Sequence, residues 1–168
     1  MSWKSIFAAQ ITAWDKIHRL VGCSDPRELI AQSVEALQGL NPDTLKGPKL
    51  LVDVGAGSGL VGIPALNMFH DLQVLFVEPD SKKTAFLRNY LYGVQKELAP
   101  RCSVGTQLLQ DVSRETNQSQ ALLEPVLFAR AFSGEISLAD AVQNSVFAGH
   151  QLFVYRVDGP RHFFEKLC

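Results

Sequence analysis

Apolar residues in the first part of the chain recur at helical spacing. Trp3, Ile6, Phe7, Ile11, Trp14, Ile17 and Val21 fall mostly at steps of three and four, one stripe along an amphipathic helix over 3–21. A second helix start follows at Asp25-Pro26. Asp suits the N-cap, Pro suits the first helical position, and Glu28 stands where a capping box places its acid. Leu29, Ile30, Val34 and Leu37 continue the buried face. Asn41-Pro42-Asp43 and Gly47-Pro48 then punctuate the chain. Residues 1–48 read as a helical extension, and 49–168 as the unit that follows it.

From Leu50 the period changes. Short apolar runs at 50–54, 73–78, 102–109, 125–130 and 151–157 alternate with helical stretches that run to His70, over 81–98 and over 136–147. Strands alternating with helices imply βαβ units, so the expected fold is α/β, a parallel sheet with helices on both faces. No internal repeat is visible.

Composition narrows the class. With 168 residues, 46% hydrophobic and 20% charged, the chain can bury a core and amounts to about one domain. Sixteen Lys and Arg against seventeen Asp and Glu give a formal charge of −1, which excludes a general polyanion binder. Any nucleic-acid contact must come from a local patch. Lys82, Lys83, Arg88, Lys96 and Arg101 form one candidate, although a solvated helix face explains them equally well. Arg156, Arg161 and His162 form a smaller one. Cys23, Cys102 and Cys168 lack metal-ligand or disulfide-framework spacing, which argues against a zinc site and fits a reducing cytoplasm. No run approaches the ~18 consecutive apolar residues of a membrane span.

The chemistry concentrates in Val52-Asp53-Val54-Gly55-Ala56-Gly57-Ser58-Gly59-Leu60-Val61-Gly62. A strand that ends in glycines and runs into a helix lets backbone approach a ligand closely. Two ligand classes compete. Gly57-Ser58-Gly59-Leu60-Val61-Gly62 satisfies the dinucleotide pattern G-x-G-x-x-G. Taken from Asp53, the same run looks like the first motif of S-adenosylmethionine (SAM) methyltransferases, with a carboxylate near the cationic end of the ligand. Glu78, ending the second strand, is the acid expected to accept ribose hydroxyls in either class.

Three blocks together are more specific: GSGLVGIP at 57–64, VEPDSKKTAFL at 77–87 and ARAF at 129–132. In order and spacing they resemble the glucose-inhibited division protein B family, the bacterial RsmG methyltransferases that modify N7 of a guanine in small-subunit ribosomal RNA. The resemblance covers roughly residues 10–160. It implies a class I SAM-methyltransferase fold (Rossmann-like) with a helical N-terminal extension, SAM as methyl donor, and small-subunit ribosomal RNA or the 30S particle as partner. By position it implies Gly55 and Leu60 on the methionine side of the cofactor and Glu78 on the ribose, and the glycine-rich run adds Asp53, Gly57 and Gly59 as cofactor-binding candidates. Gln107, Leu108 and Leu109 fall beside the adenine, with Asp111 as a rival acid. Arg130 matches the arginine at the end of the fourth strand, beside the reaction centre. N7 already exposes a lone pair, so no general base is required, and Arg130 is the catalytic candidate, in a role that positions the base.

Departures from the family pattern fall mainly on the side expected to face RNA. Ala31-Gln32 and Glu35-Ala36 stand where relatives carry Arg-His and Asp-Ser. Arg19-Leu20-Val21 replaces Asn-Leu-Thr, Val61 replaces a proline, and Asp158 replaces a lysine before Gly159. The family's closing antiparallel strand pair is also expected to be missing after 151–157, leaving a parallel edge for a partner or a second copy to cover. A diverged SAM fold that binds RNA or protein without catalysis is one alternative. An NAD-type oxidoreductase is another, although none of His18, His70, His150 and His162 has the setting of a hydride-transfer dyad.

Overall fold

The computed structural model describes residues 2–18, 20–21, 25–113, 122–130 and 137–167. Among these, two helices lead: α1 (Trp3–His18) and α2 (Pro26–Gln38). Then come β1 (Lys49–Val54), α3 (Gly62–Met68), β2 (Gln73–Val77), α4 (Ser81–Arg88), β3 (Cys102–Gly105), β4 (Glu124–Ala129), α5 (Leu138–Gln143), β5 (Gln151–Asp158) and β6 (Arg161–Lys166). Among the described residues the strands form one sheet in the order β3-β2-β1-β4-β5-β6. The first five are mutually parallel, and β6 runs antiparallel to β5. Strand order reverses between β1 and β4, so the ligand crevice of such a sheet opens at their carboxyl ends. Val54 pairs with Ala129 there, which puts Gly55 and Arg130 next along their strands at the same rim.

Each face of the sheet has its own core. Leu51, Val74, Phe76, Val126, Phe128 and Phe153 pack under α1 to α4, with Phe7, Ile11, Ile30, Leu37, Phe86 and Tyr90. The helical extension is therefore part of the main core. Phe7 lies 5.0 Å from Tyr90, and Trp14 lies edge-on to Phe86 at 5.6 Å, which ties α1 to α4. The other face packs Leu50, Val52, Val54 and Leu127 against Ala141, Val142, Phe147, Leu109 and Val112. Among the described residues no helix is long and apolar enough to cross a membrane.

Several boundaries differ from the sequence expectation. The α1 helix stops at His18 and leaves Ile17 76% exposed, off the buried stripe. The helix expected over 81–98 is regular only to Arg88. It then widens into a π-turn over Asn89–Val94, which contains the poor helix former Gly93 and is closed by Gln95 N–H donating to the Tyr90 carbonyl at 2.7 Å. The strand expected over 102–109 ends at Gly105, because Leu109 leaves the sheet to fill the core beneath it. Asp25 caps α2 as expected, accepting from Arg27 N–H at 2.9 Å, whereas Glu28 accepts from the Gln32 side-chain amide at 3.2 Å.

The largest correction concerns the edge at 151–157. Strand β6 covers β5 along its length, from Phe153 opposite Lys166 to Asp158 opposite Arg161. Gly159, at φ 56°, makes the two-residue turn that lets the chain double back. One antiparallel strand covers the β5 edge in place of the family's strand pair, so the reason for expecting self-association through a bare β5 is gone. Expectations that rested on Arg19, Cys23, Ala131, Phe132, Ile136 and Cys168 lie outside the described residues.

Candidate functional site

The chain leaves β1 at Gly55 and enters α3 at Gly62. Gly55, Gly57 and Gly59 all take left-handed φ values, 64°, 59° and 79°. Close packing adds a second demand. A Cβ on Gly59 would lie 2.7 Å from Ile63 and Leu87 methyls, and one on Gly62 would lie 2.3 Å from the Phe76 ring. The loop thus lies flat against α4 and β2.

Its amides are committed within the protein. Gly55 and Ala56 donate to the Val77 carbonyl at 2.9 and 3.1 Å, and Gly59 donates to Ala56 at 2.7 Å. Gly57 N–H donates to Glu78 Oε2 at 2.7 Å, while Glu78 Oε1 accepts from Asp80 N–H at 2.9 Å. The Glu78 carboxylate is 4% exposed and shares the loop's rim, with a second lone pair on each oxygen for further donors.

Asp53 is displaced from its expected role. Its carboxyl is 1% exposed and accepts from Gly62 N–H at 2.9 Å. Asp53 therefore holds the first turn of α3 and does not line the ligand side. Burial pushes its pKa up to about 7; the Gly62 hydrogen bond opposes this, Glu78 reinforces it and Arg130 opposes it. This placement also separates the two ligand classes. A dinucleotide pyrophosphate needs loop amides and the helix start as anion donors. Here four loop amides are internally bonded, and a carboxyl already occupies the helix start. What remains is a shaped backbone cradle with an acid beside it, suited to a nucleoside carrying hydroxyls and positive charge.

On the expected adenine side the three residues part company. Gln107 is half-buried, its side chain lying 3.5 Å from where a Gly105 Cβ would stand. Leu108 is 47% exposed, whereas Leu109 is 3% exposed and belongs to the core. Leu109 is thus withdrawn as a cofactor contact, because the short helical turn over Leu109–Asp111 aims it under the sheet. Leu60 is partly buried against the main core.

Arg130 stands at the end of β4, across the rim from the glycine loop. One terminal nitrogen donates to the Leu29 carbonyl at 3.1 Å and to Ser33 Oγ; the other donates to Gln32 Oε1 at 3.1 Å. Its guanidinium lies 4.3 Å from the Tyr155 ring centroid. Burial lowers its pKa from the ordinary arginine value, and Tyr155 and Asp53 oppose that shift. Tyr155 hydrogen-bonds His162 Nδ1 at 2.5 Å and reaches Gln32 Oε1 at 3.4 Å. The sequence reading missed Ser33, Tyr155 and the role of Gln32. No local motif marks them, since each meets Arg130 only through the tertiary fold.

The basic cluster also divides. Arg101 donates to the Leu66, Phe69, His70 and Leu72 carbonyls and so ties the end of α3 to β2. Arg88 donates to the Val104 carbonyl and to Thr106. Both arginines are structural, which leaves Lys82 and Lys96 exposed and Lys83 half-buried. Arg156 pairs with Glu165 at 2.8 Å. Arg161 is exposed.

Comparison with known proteins agrees with this geometry. The family described as GidB, rRNA small subunit methyltransferase G, matches residues 4–162. The ribosomal RNA small subunit methyltransferase G of Leptothrix cholodnii is 32% identical over 136 residues, covering 77% of this chain and 56% of its own. The protein of the same name from Xanthomonas euvesicatoria pv. vesicatoria is 34% identical over 85 residues, covering 51% of this chain and 39% of its own. The chain thus spans about half the length of these relatives, or less. A solved geranyl diphosphate methyltransferase in complex with SAM shares the fold at TM-score 0.58 and 18% identity, over 91% of this chain and 53% of that one.

Proposed function

The chain belongs to the GidB family, rRNA small subunit methyltransferase G, and on that premise we propose that it transfers a methyl group from SAM to N7 of a guanine in small-subunit ribosomal RNA. The observation that carries this reading is the loop over 55–59, folded into left-handed turns with Glu78 bonded to its centre. Bound SAM would supply an electrophilic methyl carbon on a sulfonium. Gly55, Gly57 and Leu60 would lie along its methionine side, and Glu78 would accept the ribose hydroxyls. Gln107 and Leu108 would flank the adenine. The 30S particle is the proposed form of the substrate and the cytoplasm the proposed setting.

The residues have modest chemical work to do. N7 carries its own lone pair, so no side chain needs to remove a proton. The rate gain comes from holding N7 in line with the methyl carbon and keeping water out. Because the N7 lone pair must stay free for the methyl, Arg130 is assigned to guanine O6, the neighbouring acceptor. Its clamp on α2 and Tyr155 fixes the plane of the guanidinium before substrate arrives. That clamp also favours a second reading, a SAM-binding RNA module without catalysis, because three of the five N–H donors of Arg130 are engaged within the protein.

Calorimetry with SAM, S-adenosylhomocysteine and NAD, followed by labelled methyl transfer to unmodified small ribosomal subunits, tests both readings. Binding of SAM with transfer to guanine N7 is the expected result. Binding without transfer to any RNA selects the module, and a response to NAD alone overturns both. Arg130→Ala is expected to slow transfer at least tenfold, the worth of about 1.4 kcal/mol, and to leave SAM affinity unchanged. Parallel loss of both would make Arg130 a cofactor or folding residue.

A further inference from the structure

Strand β5 outruns its parallel partner. Its pairing with β4 ends at Val154 opposite Ala129, while its pairing with β6 continues through Tyr155, Arg156, Val157 and Asp158. A two-stranded ribbon therefore projects past the carboxyl ends of the sheet, on the rim that holds the glycine loop and Arg130. Registered pairs in the ribbon share a face, so Tyr155 and Phe164 lie on one side with Val157 and His162.

That face carries the ring against which Arg130 rests. Tyr155 and His162 lie within 20° of parallel with centroids 5.9 Å apart, and the hydroxyl is bonded edge-on to Nδ1. The two rings form one extended plate. Phe164 closes the base of the plate, edge-on to Tyr155 at 5.8 Å. Arg130 packs over the Tyr155 ring on one side and is bonded to α2 on the other. Gln32 joins the two holds: its oxygen takes both Arg130 and Tyr155, and its amide nitrogen is anchored on Glu28.

We propose that Tyr155, tethered by His162, is a positioning residue for Arg130, so that the terminal hairpin sets the plane in which Arg130 presents its donors to the guanine. This rests on the functional reading above and extends it to residues that no motif marks. Contacts to α2 alone fix the terminal nitrogens at points and leave rotation about the line through them. A ring under the guanidinium face removes that rotation. The hydroxyl bond to His162 in turn fixes the far end of the Tyr155 ring, so the side chain cannot swing away from Arg130.

The test is a double-mutant cycle with an independent structural readout. Tyr155→Leu removes the ring face, and Tyr155→Phe keeps the face but removes the tether. Tyr155→Leu is expected to lower kcat for RNA methylation about tenfold, in line with loss of a partly desolvated cation–π contact, with unchanged SAM affinity. Tyr155→Phe should lose only about two- to threefold, as for one hydrogen bond at the weak end of its range. In an Arg130→Ala background Tyr155→Leu should cost nothing more. An equal loss in both backgrounds would mean a purely structural role and overturn the proposal. The guanidinium N–H resonance that Arg130→Lys removes gives the second readout in isotope-labelled protein. A ring-current shift present in the wild type and in Tyr155→Phe, but absent in Tyr155→Leu, is expected. The same shift in all three overturns the positioning. If the wild type methylates no RNA, the functional reading fails, and this resonance still decides what Tyr155 does.

Discussion

The two sides of the rim at the β1/β4 switch are built in opposite ways. On the glycine side the working parts are main chain and near neighbours. Asp53 reaches Gly62 and Glu78 reaches Gly57, over 9 and 21 positions of sequence. On the arginine side the contacts radiate from one side chain, and Arg130 meets the Leu29 carbonyl and the Gln32 and Ser33 side chains from 101, 98 and 97 positions away. The first side is rigid because a turn of given handedness allows few shapes. The second holds only while α2, β4, β5 and β6 are all docked. The proposed cofactor cradle thus resists change, while the proposed substrate side can be rewired one residue at a time. The departures from the family pattern at Gln32 and Asp158 fall on that second side.

Substitutions can break this contrast, beginning with the largest effect. Gly62→Ala places a methyl within 2.3 Å of the Phe76 ring, which neither the sheet nor α3 can yield. A loss of about 3 kcal/mol is expected, the upper range for overpacking, visible as a lower denaturant midpoint with unchanged slope. A loss below about 0.5 kcal/mol, the scale of surface substitutions, would mean the glycine side is softer than described.

Asp53 gives a pH-dependent test of the same side. Its folded pKa is raised from 3.8 to about 7, so between those values the unfolded chain gives up a proton that the native state keeps. Stability from this group is therefore highest below pH 4, falls as pH rises towards 7, and levels off above it. Asp53→Asn can still accept from Gly62 N–H through its amide oxygen, and it does not titrate. The variant should gain on the wild type by a few kcal/mol between pH 4 and 7.5, on the scale of about 1.4 kcal/mol per pKa unit. A stability difference that is flat with pH would show that Asp53 stays ionised in the fold.

The smallest effect sharpens the arginine side. Gln32→Ala removes one acceptor from Arg130 and one from Tyr155 while leaving the buried face of α2 intact. Global stability should change by less than about 1 kcal/mol, as for one partly exposed hydrogen-bonding group. RNA methylation should slow severalfold with SAM affinity unchanged. A fall in SAM affinity instead would mean that the two sides of the rim are coupled and not separately built.

Much of the glycine side was legible because its constraints are local. Handedness demands glycine at 55, 57 and 59, and an acid at the end of the next strand follows by topology. The error at Asp53 is of another kind. Strand alternation points it at the same face as Leu51, into the space between sheet and α3, yet its charge suggested a ligand. Leu109 was misplaced because counting from Glu78 fixes position along the chain and not which way the chain turns after Gly105. Arg88 and Arg101 were candidates for a phosphate patch or a solvated face because charge can be counted in a sequence, whereas carbonyls left over along an edge strand or at a helix end cannot.

By itself the sequence determined the βαβ alternation, the two leading helices, the glycine loop and its acid, all of which rest on periodicity and on φ values that few residues tolerate. Only the tertiary structure decided that β6 closes the sheet, that Asp53 serves α3, and that Arg130 is held between α2 and Tyr155. The division follows from contact range: backbone handedness is written residue by residue, but a side chain's partner depends on which distant element the core brings alongside it.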